Sequence, residues 1–154
     1  MTKKKKESDE TLAFVAEVFE KQVPFNRVLD LRVDIDDEAE VKVSFRMKDK
    51  LVGNFIRGTL HGGVIFSALD VVGGLVAFVN LCPRRKSRLT DEEIALFSRH
   101  GTIDMRVDFL GPGMGEVFYA TGLGLRVGRK VAVTRMELHN DEGGRIAVAT
   151  GDYS

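Results

Sequence analysis

The stretch GNFIRGTLHGGVIFSALDVVGGLVAFVNLCPRRK, residues 53–86, contains about twenty consecutive apolar or small residues interrupted by one carboxylate, Asp70. A run of that length is long enough to cross a membrane, and the basic RRKSR that follows has the look of a cytoplasmic anchor. Three features speak against a span. Four glycines, Gly62, Gly63, Gly73 and Gly74, lie within it. Asp70 near its middle would cost about 2.5–3.5 kcal/mol to insert. Both flanks carry the alternating patterns of soluble strands. A helix apolar on every face is otherwise one buried on every face, as when a sheet encloses it.

Asp70 stands between Leu69 and Val71. An unpaired aspartate among such neighbours loses several kcal/mol of solvation. It is therefore either a structural carboxylate supplied with hydrogen-bond donors or one tuned toward the range of a base. Eight residues upstream, TLHGG marks the expected helix start. Gly62 and Gly63 have no side chains, so a ligand can approach the free N–H groups of the first turn, where the helix dipole also favours negative charge. Such donors can form an oxyanion hole; a plain capping turn uses the same residues. Eight residues at 1.5 Å each put Gly62 and Asp70 about 12 Å apart along one helix, too far to act on one carbonyl. Acting together, they would have to come from two antiparallel copies of the helix, as a two-fold dimer supplies.

The rest of the chain offers material for a sheet around that helix. Leu12, Val15, Ala16, Phe19 and Val23 recur at steps of three and four, predicting an amphipathic helix over 11–23, with Thr11 as its cap and Pro24 after its end. EAEVKVSFRM alternates Ala39, Val41, Val43 and Phe45 against charged and polar residues, the period of a strand with one wet face, and LRVDID before it is a weaker strand. After the apolar run, Pro83 is a stop, and Thr90 with Glu93 opens a short helix to about Arg99. TIDMRVDFL is expected to bury Ile103, Met105, Val107 and Phe109 on one face. EVFYATGLGL, KVAVTRMEL and RIAVATGDY complete a meander, with Gly-Pro-Gly at 111–113 and NDEGG at 140–144 as turns between antiparallel neighbours. The layout is α+β, one antiparallel sheet wrapped around one central helix.

Composition narrows the function. A chain of 154 residues makes one domain over 11–154 behind a charged tail at 1–10, so a single site is sought. Lys plus Arg equals Asp plus Glu at 23 each, and tryptophan is absent, so no overall charge argues for nucleic acid. The lone cysteine, Cys82, leaves no internal disulfide framework or multi-cysteine metal site and fits a reducing, cytoplasmic setting. The N-terminus MTKKKKESDE and the charged helix after it lack the apolar core of a secretory signal.

GTLHGGVIFSALD at 58–70, followed by TIDMRVDFLGPG at 102–113 and the terminal strands, resembles the hotdog-fold acyl-CoA thioesterases, in particular the phenylacetyl-CoA thioesterase-like branch. The resemblance covers roughly residues 25–154. It implies a hotdog fold, paired into a dimer or a dimer of dimers, and hydrolysis of an acyl-CoA thioester without metal or redox cofactor. In its terms the Gly62 N–H polarises the thioester carbonyl, with His61 and Asn54 shaping that side and Gly63 lining the approach. Asp70 of the other chain acts as base or nucleophile, and Thr102 holds the attacking water. Two departures stand out: three residues separate Asn54 from Gly58 where the family pattern has two, and the 82–101 segment is longer than in the simplest members. The coenzyme phosphates need cations. Arg126, Arg129 and Lys130 around Gly128 are one candidate cluster and Arg84, Arg85 and Lys86 another.

Each of these residues has a plainer role open to it: a helix-start hydrogen bond for His61, a turn for Asn54, a strand hydroxyl for Thr102, a solvated turn for the cations. Two rival functions share the fold. An acyl-CoA hydratase or dehydratase would need a second catalytic group, for which His61 is the only helix-start candidate. A non-catalytic acyl-CoA sensor would need a DNA-binding partner unit, and the N-terminal helix is too small for one.

Overall fold

A computed structural model describes residues 10–36, 38–81 and 89–154. The charged tail up to residue 9, Cys82, Pro83 and the Arg84–Arg85–Lys86 cluster lie outside the described residues.

Six strands form one antiparallel sheet in the order β1-β2-β6-β7-β8-β5: β1 (Arg32–Ile35), β2 (Val41–Arg46), β5 (Thr102–Phe109), β6 (Val117–Val127), β7 (Ala132–Asn140) and β8 (Arg145–Tyr153). A separate hairpin pairs β3 (Val52–Asn54) with β4 (Thr59–Leu60). The helix α3 (Gly62–Leu81) lies across β6, β7 and β8. It is long and apolar enough to cross a membrane by length and composition, yet its Ile65, Leu69, Val72, Leu75 and Val79 are buried against this chain's own sheet. That is the enclosed helix expected from an all-round apolar segment.

Close helix–sheet contact is made possible by missing side chains. A Cβ on Gly122 of β6 would stand 2.7 Å from Val72 and 3.1 Å from Val76. A Cβ on Gly73 would run into the Tyr153 hydroxyl and stand 2.6 Å from its Cζ. The ring of Tyr153 is locked in the core at 1% exposure, so it has nowhere to retreat. Gly73→Ala is therefore expected to destabilise the fold by about 1–3 kcal/mol, because overpacking outweighs the better helix propensity of alanine. Thermal unfolding of the variant measures it, and an unchanged midpoint would contradict this packing.

Several expectations are corrected. The predicted helix over 11–23 is α1 (Glu10–Glu17) followed by a π-helical turn at Val18–Gln22. Thr11 is buried inside α1 rather than standing ahead of it. Pro24 follows the end of that π-helical turn as expected and also begins a further helix, α2 (Pro24–Leu29), at the first-turn position where its missing N–H costs nothing. Ala39 precedes β2 in a left-handed turn, at φ 64°, while Val41, Val43 and Phe45 are buried on alternate positions as expected. The Thr90–Glu93 capping box is present and starts α4 (Asp91–Phe97), whose Phe97 packs against Phe78 with the rings tilted and their centres 4.0 Å apart.

Strand β5 departs most. It is an edge strand, paired only with β8, so the Gly-Pro-Gly turn does not join neighbours: the chain crosses to β6, which lies between β2 and β7. Met105 and Val107 pack on the core, but Phe109 is 54% and Ile103 57% exposed. Ile103 is displaced by a bulge. Thr102 pairs with Tyr153 and Asp104 with Asp152, so two steps on β5 match one on β8. The extra residue turns Thr102, not Ile103, onto the helix side.

Candidate functional site

The bulge delivers the first functional contact. Thr102 Oγ1 donates to Asp70 Oδ1 at 2.7 Å. Tyr153, opposite Thr102 on β8, lays its hydroxyl 3.3 Å from both Oδ1 and the main-chain oxygen of Asp70, where its one proton is shared. Asp70 is therefore the partnered carboxylate anticipated for a charge on an apolar helix. Burial, and next the negative charge of Asp70, push the Tyr153 phenol above its ordinary range, so it remains a donor at any working pH.

A cavity of about 320 Å³ opens beside Asp70. Phe19, Val23, Phe25, Phe66 and Val71 give it apolar walls, and Thr102, Tyr153 and His100 stand at its polar side. Both imidazole nitrogens of His100 face carbonyls, Nδ1 that of Ser154 at 2.7 Å and Nε2 that of Gly74 at 2.9 Å, which fastens the end of the 82–101 segment to α3.

At the other end of α3, His61 folds back so that its Nδ1 accepts from the Gly63 N–H at 2.8 Å. A Cβ on Gly63 would stand 2.9 Å from that nitrogen, so glycine is what lets the ring reach it. The Gly62 N–H, by contrast, has no acceptor among the described residues. His61 thus caps one amide and leaves the neighbouring one free, with its own proton on Nε2. Phe109 lies alongside, 3.6 Å from where a Gly62 Cβ would be. Asn54 sits on the β3–β4 hairpin that packs against His61, and its Oδ1 accepts from the N–H groups of Ile56 and Arg57 at 3.2 and 3.1 Å. Its carbonyl oxygen is engaged in the turn, which holds Phe55 out at 88% exposure.

The structure groups Asp70 with Thr102 at one end of β5, and Gly62 with His61 and Asn54 near the other. Arg126 stands exposed near the end of β6, and Arg129 and Lys130 on the β6–β7 turn that follows, closed by a Gly128 N–H to Val131 carbonyl bond of 2.9 Å. None of the three has a salt-bridge partner among the described residues. Arg129 shares a second cavity with Arg99, Leu96 and His100, so Arg99 joins the cations. Sequence reasoning missed Arg99, His100 and Tyr153. None of the three left a signal, because each is placed by residues distant in the chain.

Comparison with known proteins places these features in a family. The thioesterase superfamily profile matches residues 57–147. Over 146 residues the chain is 44% identical to the medium/long-chain acyl-CoA thioesterase YigI of Escherichia coli, covering 95% of this chain and 94% of that one. A crystal structure from Shewanella oneidensis, described as related to the thioesterase superfamily, superposes with a TM-score of 0.85 at 48% identity, covering 94% of both chains. The BH2602 protein of Bacillus halodurans, crystallised with CoA, shares the fold at TM-score 0.57 and 20% identity, over 72% of this chain and 68% of its own. The matches establish the superfamily.

Proposed function

The chain belongs to the thioesterase superfamily, and we propose that it hydrolyses medium- and long-chain acyl-CoA thioesters at a site shared by two copies of the chain. The observation that carries the shared site is the position of Gly62 and Asp70 at opposite ends of β5, whose outer edge pairs with no strand of the described chain. An exposed edge with Ile103 and Phe109 uncovered is a surface that invites strand pairing. Two β5 strands meeting antiparallel about a two-fold axis exchange their ends. The Phe109–Gly62 end of one chain then comes beside the Thr102–Asp70 end of the other.

In that arrangement the free Gly62 N–H receives the thioester carbonyl oxygen and stabilises its charge as the carbon becomes tetrahedral. Asp70 of the other chain acts in one of two ways. As a base it takes a proton from water, the hydroxide adds to the carbonyl carbon, and the C–S bond breaks as the protonated Asp70 returns that proton to the departing sulfur, so that CoA leaves as the thiol and the carboxylate is restored. As a nucleophile it adds directly, expelling the thiolate, and water then cleaves the anhydride. Both routes use a free carboxylate oxygen. The acyl tail occupies the apolar cavity beside Asp70, and Arg126 near the end of β6 with Arg129 and Lys130 on the turn after it, without salt-bridge partners among the described residues, are the cations offered to the coenzyme phosphates.

Thiol release from a panel of acyl-CoAs tests this. Turnover is expected, with kcat/KM rising about fourfold for each methylene the cavity buries, from about 0.8 kcal/mol each, until the cavity is filled. Phenylacetyl-CoA should fall below the aliphatic substrates. Tight binding without thiol release would instead identify an acyl-CoA sensor and end the hydrolase proposal.

A further inference from the structure

We propose that Tyr153 is a positioning residue for this reaction: with Thr102 it pins Oδ1 of Asp70, so that Oδ2 is the oxygen that meets water or the thioester. This rests on the hydrolase proposal above and adds to it which atom reacts and what orients it.

The geometry is asymmetric. Both side-chain donors to the carboxylate reach the same oxygen, Thr102 Oγ1 at 2.7 Å and Tyr153 Oη at 3.3 Å. No hydrogen bond to Oδ2 occurs among the described residues. Since Asp70 lines the cavity wall, its unbonded oxygen is the one available to a molecule there. A carboxylate has two chemically equal oxygens; two donors on one of them remove that equality and fix the plane of the group.

The placement of Tyr153 is supported on three sides. The Gly73 notch admits its hydroxyl, and a methyl group there would collide with it. The β5 bulge sets Thr102 directly opposite Tyr153 across the β5–β8 pairing, so two donors come from adjacent strands onto one turn of α3. The phenol also touches the Asp70 main-chain oxygen and, at 3.6 Å, the Met105 sulfur, so it is held from several directions. Burial keeps it protonated, which a donor to a carboxylate requires. A tyrosine that only filled space would need none of these alignments for its hydroxyl.

Tyr153→Phe removes the oxygen and keeps the ring. Steady-state kinetics should show kcat falling about five- to tenfold, as expected for losing one long, shared hydrogen bond of ordinary strength from an oriented reactant, with KM unchanged because the acyl cavity is intact. A double-mutant cycle with Thr102→Val should be non-additive, since both hydroxyls act on the same oxygen, so that once one is lost the carboxylate already turns and losing the second costs less than it does alone. Thermal unfolding separates a packing effect. A kcat equal to wild type in Tyr153→Phe, whatever its melting temperature, overturns the positioning role, as does additivity within error in the cycle. If the wild-type protein itself releases no thiol, the hydrolase proposal fails first. An active wild type with a normal Tyr153→Phe variant defeats only this inference.

Discussion

Asp70→Asn is expected to lower kcat by about 10²- to 10⁴-fold, the range for removing a general base or its equivalent nucleophile, while the protein folds and still binds acyl-CoA. The substitution suits the site unusually well. Asparagine keeps the volume, and its carbonyl oxygen can still accept from Thr102 and Tyr153 in place of Oδ1. What changes is the atom facing the cavity, which becomes an NH₂ that can neither take a proton from water nor attack a carbonyl. The loss should therefore appear in kcat, with KM little altered. Asp70→Ala serves as the second variant, because it also abandons both donors and should cost stability where Asn does not. Thiol release by Asp70→Asn within threefold of wild type would remove Asp70 from the chemistry and leave it a structural carboxylate.

That Asp70 could be singled out from the sequence at all follows from its setting. One charge in a long apolar helix is costly, and a cost of that size demands partners. The helix itself, the β2 alternation and the Thr90–Glu93 capping box were equally legible, because each depends on residues within a few positions of one another. What failed depended on residues far apart. Pro24 follows the first helix as expected, but that it also opens α2 depends on the packing of Asn26 and Leu29. The period-two pattern through Ile103, Met105, Val107 and Phe109 is genuine for Met105 and Val107. A bulge whose register is set by β8, some fifty residues away, moves Ile103 outward and Thr102 onto the helix side. Tyr153 was hidden for the same reason. Nothing in RIAVATGDY shows that its one aromatic meets a glycine notch on α3 and a carboxylate one turn before it.

The shared site predicts an outcome that no single-chain site can give. Gly62→Pro deletes the proposed oxyanion donor with little structural cost, since proline is well suited to the first helical position. Gly62 is also not among the residues at positive φ, and its missing Cβ would meet Phe109 only at an ordinary 3.6 Å. Alone it should lose about 10²- to 10³-fold in kcat, the usual effect of removing one such donor. Asp70→Ala alone should be at least as inactive. When equal amounts of the two inactive proteins are unfolded together and refolded, half of the dimers pair one chain of each kind. In such a dimer one site combines the intact Gly62 of one chain with the intact Asp70 of the other, and the second site carries both defects. Activity should recover to about a quarter of wild type. Were Gly62 and Asp70 of the same chain to serve one substrate, every chain in the mixture would carry a defect in its own site, and refolding together would restore nothing. Dilution supplies the matching control, because the recovered activity must disappear with the dimer, whereas a fully active monomer would show that β5 does not bring the two ends together.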